Sequence, residues 1–216
     1  MRINKYFLLV MLCALSFTIM SCSDDDEGQQ IAPTPDATGS WTDERDQSVY
    51  EWVRYGDLEW TTTNLRYIPS AGATRPDLTP VNPRYYDDGI AAKYYENFGL
   101  LYNHEAALAA IPEGWRLPTV ADWADLEART NGDLKGGIKL SLGGYSRNDV
   151  YFTQIHPNVD YYAYVYGFYW TADIDKSKTE NNFAYYRKIV FNEGGSTLDS
   201  MDKSNFLNVR LVRNAR

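Results

Sequence analysis

The stretch PEGWRLPTVADW, residues 112–123, gives the densest local instructions in the chain. Gly114 allows the backbone to turn, and Pro118 blocks a helix from starting before Thr119. Thr119 stands where an N-cap belongs, with Asp122 three positions on as the acid of a capping box. Trp123, Leu126 and Thr130 share one face of the helix so begun, and Asn131-Gly132 ends it. Just upstream, LYNHEAALAAI (101–111) is rich in helix formers and stops at Pro112, so another helix is expected there. Trp115 and Trp123 bring large apolar area, so packing is the first role expected of this stretch.

On the N-terminal side, VYEWVRYGDLEWTTTNLRY (49–67) has aromatic and β-branched runs on either side of Gly56-Asp57. A glycine first in a two-residue loop suits a II′ turn, so the segment predicts a β-hairpin. A long Pro- and Gly-rich segment, residues 68–95, follows. On the C-terminal side, FAYYRKIVF (183–191) and FLNVRLVR (206–213) alternate like strands separated by a turn at Asn192-Glu193-Gly194-Gly195. A hairpin, two helices, long loops and closing strands predict an α+β domain.

The N-terminus reads differently. Arg2 and Lys5 precede a fifteen-residue apolar run, 6–20, which is shorter than the ~20 residues a helix needs to cross a bilayer. Ile19-Met20-Ser21-Cys22 resembles a lipobox, with Cys22 as the thiol that takes the lipid. Ser23-Asp24-Asp25-Asp26-Glu27 resembles the acidic export signal of Bacteroidota lipoproteins. The expected organisation is a signal peptide over 1–21, an export signal and flexible tether over 22–40, and one domain over 41–216. The expected location is the outer membrane, lipid-anchored and facing the exterior. A tether such as GQQIAPTPDATGS (28–40) would hold the domain about 20 Å from the headgroups.

The 216 residues carry a net charge of −8, and removing Arg2 and Lys5 with the signal makes it −10. Clustered Lys and Arg that would grip a phosphate backbone are missing, so nucleic acid is not an expected partner. Both cysteines, Cys13 and Cys22, lie outside the domain. That leaves it without disulfide staples, zinc–thiolate sites or a cysteine nucleophile, so its stability has to come from a core.

Five landmarks in order over residues 49–213 resemble the FISUMP family, the Fibrobacter succinogenes major paralogous domain. They are the hairpin with Trp60 and Asn64-Leu65, Phe98-Gly99-Leu100-Leu101-Tyr102 with Glu105-Ala106-Ala107, the 112–119 stretch with Asp122-Trp123, Tyr169-Trp170-Thr171, and Val209-Arg210-Leu211-Val212. The R-L-P-T-x-x-x-W turn also resembles that of formylglycine-generating proteins. The resemblance implies a C-type lectin-like domain: two helices packed on short antiparallel strands, long loops, and paired termini.

Sharper chemistry finds little support. His104-Glu105-Ala106-Ala107-Leu108 begins like a zincin motif but has Leu108 where the second ligand belongs. Only His104 and His156 exist, and no nucleophile elbow accompanies them. His156-Pro157-Asn158 lacks the first oxygen ligand of a calcium-dependent lectin tripeptide, although Asp173 with Asp175 could hold a structural ion. No cofactor, metal or catalytic residue is therefore assigned. The chain has 18 tyrosines, and Tyr151, Tyr161, Tyr162, Tyr164, Tyr166 and Tyr169 crowd one segment. Such a segment is either a strand burying one face or a ligand face that pairs flat apolar area with hydroxyls. Tyr151, Asn158, Asp160, Tyr161 and Trp170 are the candidate ligand residues. The sequence thus predicts a non-catalytic surface lipoprotein that binds a glycan or an extracellular protein. The alternatives are a structural subunit of an envelope or fimbrial assembly and, third, a degenerate enzyme.

Overall fold

The computed structural model describes residues 33–69, 73–74, 98–147, 150–152, 165–180 and 182–216. Its strands are β1 (Ala37–Thr42), β2 (Val49–Tyr55), β3 (Leu58–Thr61), β4 (Ala73–Thr74), β5 (Leu101–Tyr102), β6 (Tyr145–Arg147), β7 (Val150–Phe152), β8 (Tyr166–Ile174), β9 (Phe183–Val190), β10 (Thr197–Asp202) and β11 (Val212–Asn214). Between β5 and β6 lie α1 (His104–Ala109), α2 (Val120–Arg129) and α3 (Leu134–Ile138). One sheet runs β1-β2-β3-β11 and a second runs β10-β9-β8, with β4-β5 and β6-β7 as two-stranded ribbons. The named pairings are all antiparallel.

The α+β, C-type lectin-like expectation is overturned, because the described chain is mostly β and its three helices are short. The helix expected over 101–111 shrinks to α1. Leu101 and Tyr102 pair instead with Thr74 and Ala73, and only His104–Ala109 turns helical. The turn after β9 leads to β10, whose six residues pair with Phe183–Lys188. The segment 206–211 is not a regular strand. Leu207, Asn208, Val209, Arg210 and Leu211 are all buried, so both of its faces are covered. Its backbone is shared among several elements: Leu207 exchanges hydrogen bonds with Tyr102, Asn208 N–H donates to Phe168 O, and Val209 O and Leu211 O accept from Leu65 and Thr61. A segment buried on both sides alternates in sequence as a half-buried strand does, so pattern alone misplaces it.

The hairpin forms at Gly56-Asp57, with Gly56 at φ +59 and Tyr55 paired with Leu58. β1 begins at Ala37, inside the stretch read as tether, and Tyr55 Oη donates to Pro33 O at 3.2 Å. Two cores flank this first sheet. One gathers Trp60, Trp123, Leu126, Tyr169 and Ile189, with the Trp60 and Trp123 rings 5.0 Å apart. The other gathers Tyr50, Trp115, Leu117, Trp170, Leu207 and Val209. Tryptophans buried to this depth are each worth several kcal/mol, of the order of 3–5 on truncation to Ala.

Candidate functional site

Two concave surfaces lie among the described residues. The first, about 570 Å³, runs between β1-β2 and α3, where Thr38, Ser40, Glu51, Val53, Thr62 and Lys139 are among its lining. α3 is placed here by local chemistry. Asp133 Oδ1 accepts from Gly136 N–H at 2.8 Å, and Gly137 sits so close to Thr130 that a side chain would meet its methyl group at 2.6 Å. The helix ends at Lys139 with φ +52, a left-handed conformation that costs a non-glycine residue about 1 kcal/mol or more.

Arg210 compensates that end. Its guanidinium is fully buried and has no carboxylate partner among the described residues. Nη1 donates to Thr61 O at 2.9 Å and Ile138 O at 3.2 Å, and Nη2 donates to Lys139 O at 2.8 Å. Two of these carbonyls belong to the C-terminal end of α3, where a helix presents its unpaired acceptors. Burial pulls the Arg210 pKa below its ordinary value. The result is a fixed Lys139, whose Nζ reaches Glu51 Oε2 at 3.1 Å across the groove. The pair is two-thirds exposed, so it contributes at most about 1 kcal/mol and opens at little cost. The groove therefore offers a displaceable ammonium and carboxylate, the two exposed hydroxyls of Thr38 and Ser40, and an apolar floor from Val53, Pro33 and Pro35.

The second surface, about 460 Å³, is lined by Asn103, His104, Glu105, Leu108, Ile174, Asn182, Lys203 and Ser204. His104 is buried, and its ring stands edge-on to Trp170 with centroids 5.1 Å apart. Its Nε2 lies 2.9 Å from Thr171 O, and because a carbonyl only accepts, the ring is the donor. Burial depresses its pKa, the Thr171 contact partly offsets this, and nearby Lys203 lowers it further. The imidazole is therefore neutral at pH 7. Its partner is a backbone carbonyl, not the carboxylate that would orient a catalytic base.

The ligand residues expected from the sequence fare unevenly. Trp170 is buried with no exposed surface, and its indole N–H donates to Tyr102 O at 2.7 Å, so its ring belongs to the core. Tyr151 lies in β7, where the backbone is described and the side chain is not. Asn158, Asp160, Tyr161, His156 and Cys22 lie outside the described residues. Of the neighbouring tyrosines, Tyr169 is buried against Ser141, while Tyr166 is half-buried under Lys188 Nζ at 4.5 Å from its ring. The two aspartates are committed to hydrogen bonds. Asp173 Oδ2 accepts from Val120 N–H, and Asp175 accepts from Ser177, Ser200 and Tyr185, with Ser177 first among the donors that hold its carboxyl far below the usual range. Among the described residues no three His, Cys, Asp or Glu gather to hold a metal.

Glu51 and Lys139 were not legible as a pair. They lie 88 positions apart, and their meeting depends on Arg210, a further 71 residues along the chain. The 112–123 stretch, by contrast, is held by packing and local hydrogen bonds. Leu117 and Trp123 are buried, and Thr119 and Asp122 complete both halves of the capping box. Arg116 grips Asp122 with two bonds of 2.5 and 2.9 Å, while Arg213 lies 4.3 Å over the Trp115 ring.

Residues 53–136 match the Fibrobacter succinogenes major domain. The match starts at Val53 in the hairpin, takes in the whole capping-box stretch, and ends at Gly136 in α3. It leaves β1, the β8-β9-β10 sheet and Arg210 outside. Glu51 and Lys139 stand just beyond the two ends of the match, while Val53, Thr62 and Gly136 of the same groove fall within it. No curated protein and no solved structure matches the chain.

Proposed function

We propose that this chain is a non-catalytic lipoprotein of the cell surface, anchored in the outer membrane through Cys22, and that its domain binds an extracellular glycan in the groove between β1-β2 and α3. The observation that carries this reading is the lining of that groove. The exposed hydroxyls of Thr38 and Ser40 and the exposed Glu51–Lys139 pair stand over an apolar floor, a mixture that matches the hydroxyl rims and apolar faces of sugars. An extracellular protein presenting similar groups is the other ligand class. The Tyr151–Tyr161 segment is a second candidate contact, without the buried Trp170. The runner-up reading, a subunit of an envelope or fimbrial assembly, draws on the open edge of β1.

The test is a glycan and matrix-protein array probed with the purified full chain, in calcium and in chelator. The reading predicts saturable binding in both buffers that falls at least tenfold in Glu51→Ala and in Lys139→Ala. Binding that survives both substitutions would move the site away from this groove. Absence of binding to every glycan would overturn the glycan class.

A further inference from the structure

The four-stranded sheet has two edges of different kinds. On β11 the edge is closed, because Arg116 N–H donates to Val212 O at 2.9 Å and Val212 N–H donates back at 3.0 Å. On β1 it is open. The bond from Asp43 N–H to Ser48 O continues the β1–β2 ladder, in which Trp41, Gly39 and Ala37 face Tyr50, Trp52 and Arg54. In an antiparallel ladder bonded pairs alternate, so Ala37, Gly39 and Trp41 turn their peptide groups toward β2. Thr38, Ser40 and Thr42 must then turn theirs outward, and among the described residues nothing bonds to them.

An open edge is usually blunted by a charge, a proline, a bulge or a covering segment. The other sheet follows that rule: Gly144 and Asn208 bridge the flank of β8, and β10 carries Asp199 and Asp202. β1, with the sequence ATGSWT, carries no charge or proline, and among the described residues no segment pairs with its outer edge. Its side chains also suit an antiparallel copy of itself. Centred on Gly39, such a pairing sets Thr38 opposite Ser40, glycine opposite glycine, and Asp36 opposite Thr42 rather than opposite another acid. The half-buried Trp52, which lies across Gly39, comes to one face of the seam, and on that same face Trp41 of each copy stands opposite Ala37 of the other.

We propose that β1 pairs with β1 of a second copy of this chain, joining two four-stranded sheets across a twofold axis at Gly39. Thr38 and Ser40 of each copy exchange backbone hydrogen bonds with Ser40 and Thr38 of the other. A contact limited to one strand and a few aromatic rings is small, so the dimer is weak and concentration-dependent. Residues directly opposite in an antiparallel pair share a face. The hydroxyls that line the groove in one copy therefore continue into those of the second, giving a longer trough for an extended ligand. That last consequence rests on the proposed glycan reading, whereas the pairing does not.

Sedimentation equilibrium of the purified full chain in detergent, over a hundredfold range of protein concentration, tests the pairing without any ligand. The average mass should climb from one copy toward two. Ser40→Lys places a charge on the outward edge and leaves the β1–β2 ladder intact, so it should remove the rise and keep the melting temperature. Thr197→Lys, on the edge of the other sheet, should leave the rise unchanged. A wild-type mass that stays at one copy, or a Ser40→Lys mass that climbs as the wild type does, would overturn the proposal. The register has its own measurement: a mixture of Thr38→Cys and Ser40→Cys chains should form a disulfide-linked dimer at least tenfold faster than either variant alone. Equal rates in all three samples would reject pairing about Gly39.

Discussion

Glu59 and Glu51 sit on opposite faces of the same sheet, each opposite a cation, and they do different work. Glu59 is 1% exposed and lies between Arg54 Nη2 at 2.5 Å and Arg213 Nε at 2.7 Å. Arg213 is in turn held over the Trp115 ring. Burial alone would raise the Glu59 carboxyl, but the two arginines outweigh it and hold the pKa below the ordinary value. Glu51 meets Lys139 at a similar distance with both side chains in water, where the attraction is screened and the pair contributes little. Similar ion pairs thus hold the fold on one face and leave movable charges beside a groove on the other. Burial, not residue type, separates a structural pair from one free to meet a ligand.

The largest expected effect breaks the buried side of this comparison. Arg210→Met leaves the carbonyls of Thr61, Ile138 and Lys139 without their donor, and should cost about 2–4 kcal/mol in denaturant unfolding. It should also weaken ligand binding, because α3 and Lys139 lose their support. Glu59→Ala strands two guanidiniums and should cost about 3 kcal/mol, with ligand affinity unchanged wherever the protein stays folded.

Acid gives a graded version of the same break. Asp43, Glu59 and Asp122 are each pushed up by burial and pulled further down by their arginine partners, ending below the ordinary carboxylate value. The unfolded chain therefore binds more protons than the folded one as pH falls. The stability these groups contribute is complete above roughly pH 5 and is lost as pH drops through their lower folded values. Thermal melts between pH 7 and pH 3 should show this fall, and a Glu59→Gln chain should show a shallower one. The smallest effect sharpens the exposed side: Glu51→Gln should change stability by less than about 0.5 kcal/mol.

What the sequence disclosed follows the range of the interactions. The Gly56-Asp57 turn and the Thr119–Asp122 capping box close over two to four residues, and both form where local chemistry puts them. The FISUMP landmarks lie partly within the matched span, residues 53–136. The balance of the fold was misread because several helix formers in a row do not decide how long a helix runs. Tyr102 is buried, and its backbone exchanges hydrogen bonds with Leu207, more than a hundred residues away, which holds the segment extended up to α1. Trp170 looked like a ligand aromatic for a related reason. Its neighbours in sequence suggest a tyrosine face, whereas its burial comes from Tyr102 and His104. Arg210 carried no local signal at all, since its three carbonyl partners lie 71 to 149 positions away.

The central claim, that the exposed pair serves a ligand while the buried one serves the fold, is tested most directly by one paired measurement. Melting temperature and affinity for an array-selected glycan would be recorded on the same samples of wild type, Glu51→Gln and Glu59→Gln. The account predicts that Glu51→Gln loses at least tenfold in affinity at an unchanged melting temperature, and that Glu59→Gln melts several degrees lower with its affinity intact. A Glu51→Gln chain that binds as the wild type does, or that melts as low as Glu59→Gln, would contradict it.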